Sequence, residues 1–152
     1  MSGIIGTRTV TQIAMVVRDI EAAKEKFAAF FGVDVPGHSG GSDPDIAKVV
    51  YRGNPAPTAV SKLAFFKIAE GVNLELIEPN GEPSVWQEFL DTHGEGLHHI
   101  GFAVEDMDGK VAACQEFGFD LVQRGFFGSG KGRYAYLDKG LPCYIELLEY
   151  FK

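Results

Sequence analysis

The chain has little that would tie it to a disulfide scaffold, a membrane or a polyanion. It contains only 2 cysteines in 152 residues, Cys114 and Cys143, which stand far apart and form no CxxC pair. That excludes a disulfide framework or a zinc knuckle, and two reduced, largely buried thiols are expected instead. Basic residues are outnumbered, 14 Lys and Arg against 21 Asp and Glu for a formal net charge of −7. Such a surface repels nucleic acid and anionic membranes as partners. No apolar run reaches the ~18 residues that a bilayer-spanning helix needs, and the start, MSGIIGTRTV, lacks a charged stretch followed by an apolar one. A soluble, cytoplasmic protein is therefore expected. Low-complexity tracts are missing as well, and 45% hydrophobic residues suffice for the core of one compact domain spanning 1–152.

What the chain does have is a repeat of itself. Residues 12–23, QIAMVVRDIEAA, match residues 99–110, HIGFAVEDMDGK, at an offset of 87. Each copy is an alternating apolar strand, an Asp (Asp19, Asp106), and an apolar residue that opens a helix (Ile20, Met107). A second echo pairs VNLELIE (72–78) with CYIELLE (143–149) at an offset of 71. Repeats of this kind set the fold reading before any local detail does.

Alternation and β-branched content predict a strand over 9–17. Asp19 then caps a helix whose Ile20, Ala23, Phe27 and Phe30 share one face, and Gly32 ends it. The stretch 36–57 is rich in Gly, Pro, Ser and Asp, with an apolar island, 46–51, that reads as an edge strand; it is the region expected to be most mobile. Strands are predicted over 61–69 and 72–78, and a two-turn helix over 84–92. The second half repeats the plan: a strand over 97–104, a helix capped by Asp106 with Met107, Val111, Cys114 and Phe117 on one face, then strands over 119–126, 133–138 and 142–149. The expected fold is α+β. Two tandem βαβββ modules, about 8–80 and 96–151, joined by a helix at about 83–93, would form curled mixed sheets of eight strands around a cleft, with the helices outside.

Strand geometry turns the duplication into a candidate site. Successive side chains alternate faces, so Gln12 shares a face with Ala14 and Val16, and His99 with Gly101 and Ala103. The bulky partners, Ile13 and Met15, Ile100 and Phe102, fit beneath the helices, and the small residues leave room for a ligand. Glu75 and Glu146 occupy equivalent positions inside apolar strands, where an unpaired carboxylate costs several kcal/mol. Two such acids brought together with an imidazole and an amide oxygen call for a cation. One nitrogen and three oxygen donors suit one divalent metal ion with water in its open positions: Zn, Ni, Co, Mn, Fe or Mg. Glu78 and Glu149 face the other way, His98 is expected to point away from the cleft, and His38 and His93 fall in or near loops.

The segment GEGLHHIGFAVEDMD (94–108), the WQEFL stretch before it, and GSGKGRYAYLD and YIELLE after it resemble the vicinal oxygen chelate superfamily, the glyoxalase/bleomycin-resistance/dioxygenase group. The resemblance covers nearly the whole chain and is strongest toward the methylmalonyl-CoA epimerase family. Carried over residue by residue, the ligand positions of that group fall on Gln12, Glu75, His99 and Glu146. Epimerases have His where Gln12 stands, whereas Gln with Glu, His and Glu is the pattern of the zinc glyoxalase I family. Extradiol dioxygenases need two His and one carboxylate around iron, and only His99 matches. Epimerases also carry an acid in the stretch corresponding to YRGNPAPTAV (51–60), where this chain has none, which leaves the second base unassigned.

The resemblance implies a metal-dependent isomerase or epimerase that abstracts a proton α to a carbonyl, with Glu146, and Glu75 beside it, carrying the proton. A lactoylglutathione-type lyase acting on thiol hemithioacetals is the second reading, and a non-catalytic binding or resistance protein the third. The implied partners are a small molecule, an acyl-CoA or a thiol adduct, and a second copy of the chain in a homodimer. Phe65, Phe102, Tyr134 and Tyr136 are candidates to exclude water around the substrate. GFFGSGKG (125–132) nearly spells a P-loop, but it lies in a strand-to-strand turn and lacks the final Ser or Thr. Its Lys131, with Arg133, is a candidate for an anionic group of the substrate.

Overall fold

The computed structural model describes residues 3–152. In chain order it contains β1 (Val10–Val16), α1 (Ile20–Phe31), the single turn α2 (Pro44–Ala47), β2 (Val50–Tyr51), β3 (Asn54–Pro55), β4 (Ser61–Ala69), β5 (Val72–Pro79), α3 (Val85–His93), β6 (Gly96–Ala103), α4 (Met107–Phe117), β7 (Asp120–Phe126), β8 (Gly132–Asp138) and β9 (Tyr144–Tyr150). All nine strands belong to one open mixed sheet, in the order β3-β2-β7-β8-β9-β6-β1-β5-β4.

The repeat is visible in the register. β1 runs parallel to β5 with Ala14 opposite Glu75, and β6 runs parallel to β9 with Gly101 opposite Glu146. The two first strands meet antiparallel at the centre, Gln12 opposite Gly101 and Ala14 opposite His99. These pairings are related by the same offsets that relate the sequences, so each half delivers its acid to the middle of the sheet from the same place in its own ladder. Both helix starts are capped alike: Asp19 accepts from the Ala22 N–H at 3.1 Å and Asp106 from the Gly109 N–H at 3.3 Å, each satisfying a backbone donor left over at a helix N-terminus.

Three features differ from the sequence expectation. The 46–51 island is not one strand: Asp43 accepts from the Asp45 N–H and Pro44 occupies the first helical turn, so a helical turn forms first and Lys48 ends it at φ 45°, leaving only Val50 and Tyr51 extended. That short strand then pairs with β7 of the other half, through Val50–Arg124 and Tyr51–Gln123, and with β3 behind it, which raises the strand count from eight to nine. Finally, α3 is not outside with the other helices. α1 packs on β4 and β5, and α4 on β7 and β9, each over its own apolar cluster. α3 instead sets Val85, Trp86 and Leu90 against Ala14, Val16, Ile77, Tyr134 and Tyr136.

Candidate metal centre

Gln12, Glu75, His99 and Glu146, drawn from β1, β5, β6 and β9, converge at the centre of the sheet. His99 Nε2 lies 3.0 Å from Gln12 Oε1, 2.8 Å from Glu146 Oε2 and 3.7 Å from Glu75 Oε1. The Gln12 amide Nε2 donates to Glu75 Oε2 at 3.1 Å. One donor atom each from Glu75, His99 and Glu146 falls within a 4.8 Å span, and all three residues are buried. Gly101 makes room for the amide, since a Cβ there would stand 3.0 Å from the Gln12 Cβ and 3.3 Å from its Oε1.

The histidine tautomers follow from one backbone carbonyl. The Val85 C=O, an acceptor only, faces His98 Nε2 at 3.2 Å, so His98 carries its proton on Nε2. Its Nδ1 is then a lone pair, and it lies 2.8 Å from His99 Nδ1, which must donate. His99 is left with an unprotonated Nε2 aimed at the two acids and the amide oxygen. Burial supports the neutral ring: it holds the His99 pKa down to about 3 and pushes that of His98 well below its ordinary value. The 2.8 Å contact between His99 Nε2 and Glu146 Oε2 is thus not an ion pair, and Glu146 Oε2 is buried without a hydrogen-bond partner.

Burial raises the pKa of both carboxyls. For Glu75 the neighbouring Glu146 charge raises it further and the Gln12 amide opposes; for Glu146 the opposing influence is a hydrogen bond from Tyr136. Trp86 Nε1 donates to the Tyr136 hydroxyl oxygen at 3.1 Å, which leaves the hydroxyl proton free for Glu146. Three electron-rich atoms gathered at an orphaned carboxylate oxygen are what a divalent cation satisfies, and the resulting set of one nitrogen and three oxygens fits the donors of such an ion.

A cavity of about 540 Å3 opens from these groups, walled by Phe65, Trp86, Phe126, Tyr134, Tyr136 and Tyr150 among others. Four of the residues singled out from sequence come together as the centre, and Phe65, Tyr134 and Tyr136 line the cavity. Three lie elsewhere. Phe102 packs beneath α4. Arg133 is held by Glu149 at 2.7 Å and Asp108 at 3.1 Å on the far side of β8. Lys131 lies in the 128–132 turn and does not line the cavity.

Sequence reasoning missed His98 and Trp86. Strict alternation sends His98 to the face opposite His99, but the β1–β6 register shifts between Ala14 and Met15, where Leu97 rather than His98 pairs next. That irregularity brings both rings together, with centroids 5.1 Å apart. The doublet His98-His99 was the one available signal. Trp86, the only tryptophan, lay in plain view within WQEFL.

A sheet of two paired modules holds two carboxylates and an imidazole together at its centre, and comparison shows the family of such a chain. The family model of the Glyoxalase/Bleomycin resistance protein/Dioxygenase superfamily matches residues 11–137; the chain belongs to this superfamily. Among solved structures it is similar to a hypothetical protein from Bacillus halodurans C-125, at 22% identity and TM-score 0.65 over 95% of both chains. It is similar in fold to methylmalonyl-CoA epimerase from Mycobacterium tuberculosis, at 20% identity and TM-score 0.61 over 94% of this chain and 88% of that one. The Streptomyces coelicolor methylmalonyl-CoA epimerase in complex with 2-nitronate-propionyl-CoA matches at 22% and TM-score 0.60, over 93% and 96%. The uncharacterized protein YqjC of Bacillus subtilis is 39% identical over 62 residues, 41% of this chain and 44% of that protein, so the match spans less than half of that relative. No helix among the described residues is long and apolar enough to cross a membrane.

Proposed function

We propose that the protein is a metal-dependent enzyme that moves a proton on carbon next to a carbonyl, an isomerase or epimerase in the manner of its methylmalonyl-CoA epimerase neighbours. The observation that carries this reading is the orphaned Glu146 oxygen facing an unprotonated His99 nitrogen inside a sizeable cavity. Gln12, Glu75, His99 and Glu146 would hold one divalent ion. When bound, such an ion polarises a substrate oxygen and stabilises negative charge developing there, a contribution of several kcal/mol.

The chain's own groups do the rest. Glu146 accepts the proton as the C–H bond breaks; that bond pair forms a C=C bond while the carbonyl π pair moves onto oxygen. Return of the proton to carbon, on either face or at the neighbouring position, closes the cycle. Burial makes Glu146 more basic than a solvated carboxylate, closer to the optimum for a base working near neutral pH. Tyr136 orients it, and the aromatic walls keep water away. A glyoxalase I-type lyase is the second reading, favoured by Gln12 in the first ligand position, and it uses the same proton transfer.

The test is metal analysis joined to solvent-deuterium exchange. Purified protein is expected to hold a stoichiometric, chelator-removable divalent ion and to exchange the α-hydrogen of at least one member of a panel containing methylmalonyl-CoA and methylglyoxal with a thiol. Exchange that survives chelation or the Glu146→Gln change, or a metal-loaded protein inert toward every member, overturns the reading.

A further inference from the structure

Two tyrosines stand side by side in the cavity wall, and only one has a use for its proton. Tyr134 and Tyr136 share a face of β8, with ring centroids 5.3 Å apart, and both line the cavity. Each hydroxyl oxygen accepts from an N–H on another element, Tyr136 from Trp86 Nε1 at 3.1 Å and Tyr134 from the Gln123 amide Nε2 at 3.2 Å. The Tyr136 proton goes to Glu146. Among the described residues the Tyr134 hydroxyl makes no other hydrogen bond, so its proton finds no acceptor in the protein.

Backbone fixes the direction of the Gln123 bond. The Val85 N–H, a donor only, faces Gln123 Oε1 at 2.8 Å. The amide nitrogen is therefore the end turned to Tyr134, and it can only donate. Val85, the first residue of α3, thus sets two chains of contacts. Its C=O fixes His98 and through it His99, while its N–H fixes the fully buried Gln123 and through it Tyr134. Gly125, opposite Tyr134 in the β7–β8 ladder, leaves the hydroxyl its place, since a Cβ there would stand 2.7 Å from the oxygen. Burial pushes the Tyr134 pKa above its ordinary value, which keeps the proton on oxygen near neutral pH. A buried donor left unmade is costly, and the cavity is where an acceptor can arrive.

We propose that the Tyr134 hydroxyl donates a hydrogen bond to the substrate, taking an acceptor oxygen that stands apart from the metal centre and a few bonds from the reacting carbon, and that Gln123 is the residue that positions it. Taking the occupant to be a substrate rests on the reading of the centre as a proton-transfer site; the open donor rests on the Val85 and Gln123 geometry alone. A site built around such a donor selects for the oxygen, because an analogue without it leaves the hydroxyl unpaired inside the cavity.

The chain has 5 tyrosines, few enough to follow one by one. Zinc-loaded protein carrying 13C at the tyrosine Cζ position is titrated with dimethyl sulfoxide, a small acceptor, and with dimethyl sulfide, which has the same shape without the oxygen; Tyr134→Phe assigns the signal. Dimethyl sulfoxide is expected to move the Tyr134 signal saturably and to leave Tyr136, whose proton is engaged, nearly still, while dimethyl sulfide moves neither. No movement of Tyr134, or equal movement with both compounds, means that no donor is open to the cavity and overturns the proposal. A second arm repeats the titration in Gln123→Met, with folding checked by the backbone amide spectrum. The apparent affinity of Tyr134 for dimethyl sulfoxide is expected to weaken at least about threefold, the worth of one lost hydrogen bond; an unchanged affinity removes Gln123 from the positioning role and that half of the proposal fails. If Gln123→Met does not fold, Gly125→Ala, which crowds the hydroxyl, is expected to produce the same loss, and an unchanged response there counts equally against a positioned donor. Exchange of the α-hydrogen on methylmalonyl-CoA and on methylglyoxal with a thiol is scored separately. Inertness toward both fails the proton-transfer reading, while the dimethyl sulfoxide response still decides whether Tyr134 is an open donor.

Discussion

The first half of the chain fixes its acid from within, the Gln12 amide donating to Glu75 at 3.1 Å, whereas the second half leaves an oxygen of Glu146 without a hydrogen-bond partner and steadies the group with Tyr136 alone. Equivalent positions in a duplicated ladder have thus been given unequal freedom. The anchored acid suits a permanent ligand, and the freer one suits a group that must change partners during a reaction. Symmetry supplied the pair, and divergence of one strand-start residue, amide in one half and imidazole in the other, separated the roles.

That asymmetry can be broken directly. Glu146→Gln is expected to lower metal-dependent α-hydrogen exchange by about 10²- to 10⁴-fold, the usual worth of a positioned base, while metal content stays near stoichiometric. Glu75→Gln is expected to act chiefly on metal affinity. Identical profiles for the two variants, read by exchange rate and elemental analysis, would erase the distinction. Next in size is His98→Phe, which removes the acceptor that holds the His99 proton on Nδ1. Metal affinity measured by calorimetry should fall about 10- to 100-fold, as for other partners of ligating histidines, and the ring-nitrogen shifts of His99 should show both tautomers. Unchanged shifts would mean that His98 is only packing.

A smaller effect is expected for Gln12→Ala, which deletes a ligand oxygen and the bond to Glu75. About a tenfold loss of metal affinity would follow from one charge-assisted hydrogen bond, whereas Gln12→His should retain the ion and make the two strand starts alike. The smallest effect is on stability against pH in protein stripped of divalent ions. The folded pKa values of Glu75 and Glu146 lie above the unfolded value of about 4.5, so the folded state binds more protons and stability falls as pH rises beyond that value. His98 and His99 are shifted down from 6.5, so their contribution grows as pH rises and is complete above that value. The two trends oppose each other below pH 6.5; above it, of these four groups, the carboxylates alone titrate, and the melting temperature should decline from there toward the raised carboxyl pKa values. Added metal should remove the decline. A flat profile in stripped protein would show that the acids are not desolvated.

The architecture was legible because duplication and strand alternation are properties of the chain itself. Gln12, Glu75, His99 and Glu146 could be named as a set because each pair holds matching positions in two repeated segments and period-two alternation puts its side chains on one surface. Where alternation breaks, so did the reading: the register shift beside His98 is a ladder property that a single strand cannot announce. The pairing of Val50 and Tyr51 with β7 was invisible for a related reason, since two extended residues carry no periodicity and their partner lies more than seventy positions away. Arg133 looked like a ligand-binding cation from sequence because its neutralisers, Asp108 and Glu149, belong to other elements.

The excursion of β2 onto β7 means that the chain leaves its first half before finishing it, and that half returns only with β4. A protein cut at the joint near residues 80–84 would yield a front fragment with an unpaired ribbon at Val50–Tyr51 and a rear fragment with a bare edge along Gln123–Arg124. The fragments should therefore find one another in solution rather than each closing into a miniature of the whole. Descent from a doubled ancestor has left two halves that can no longer be separated as equals.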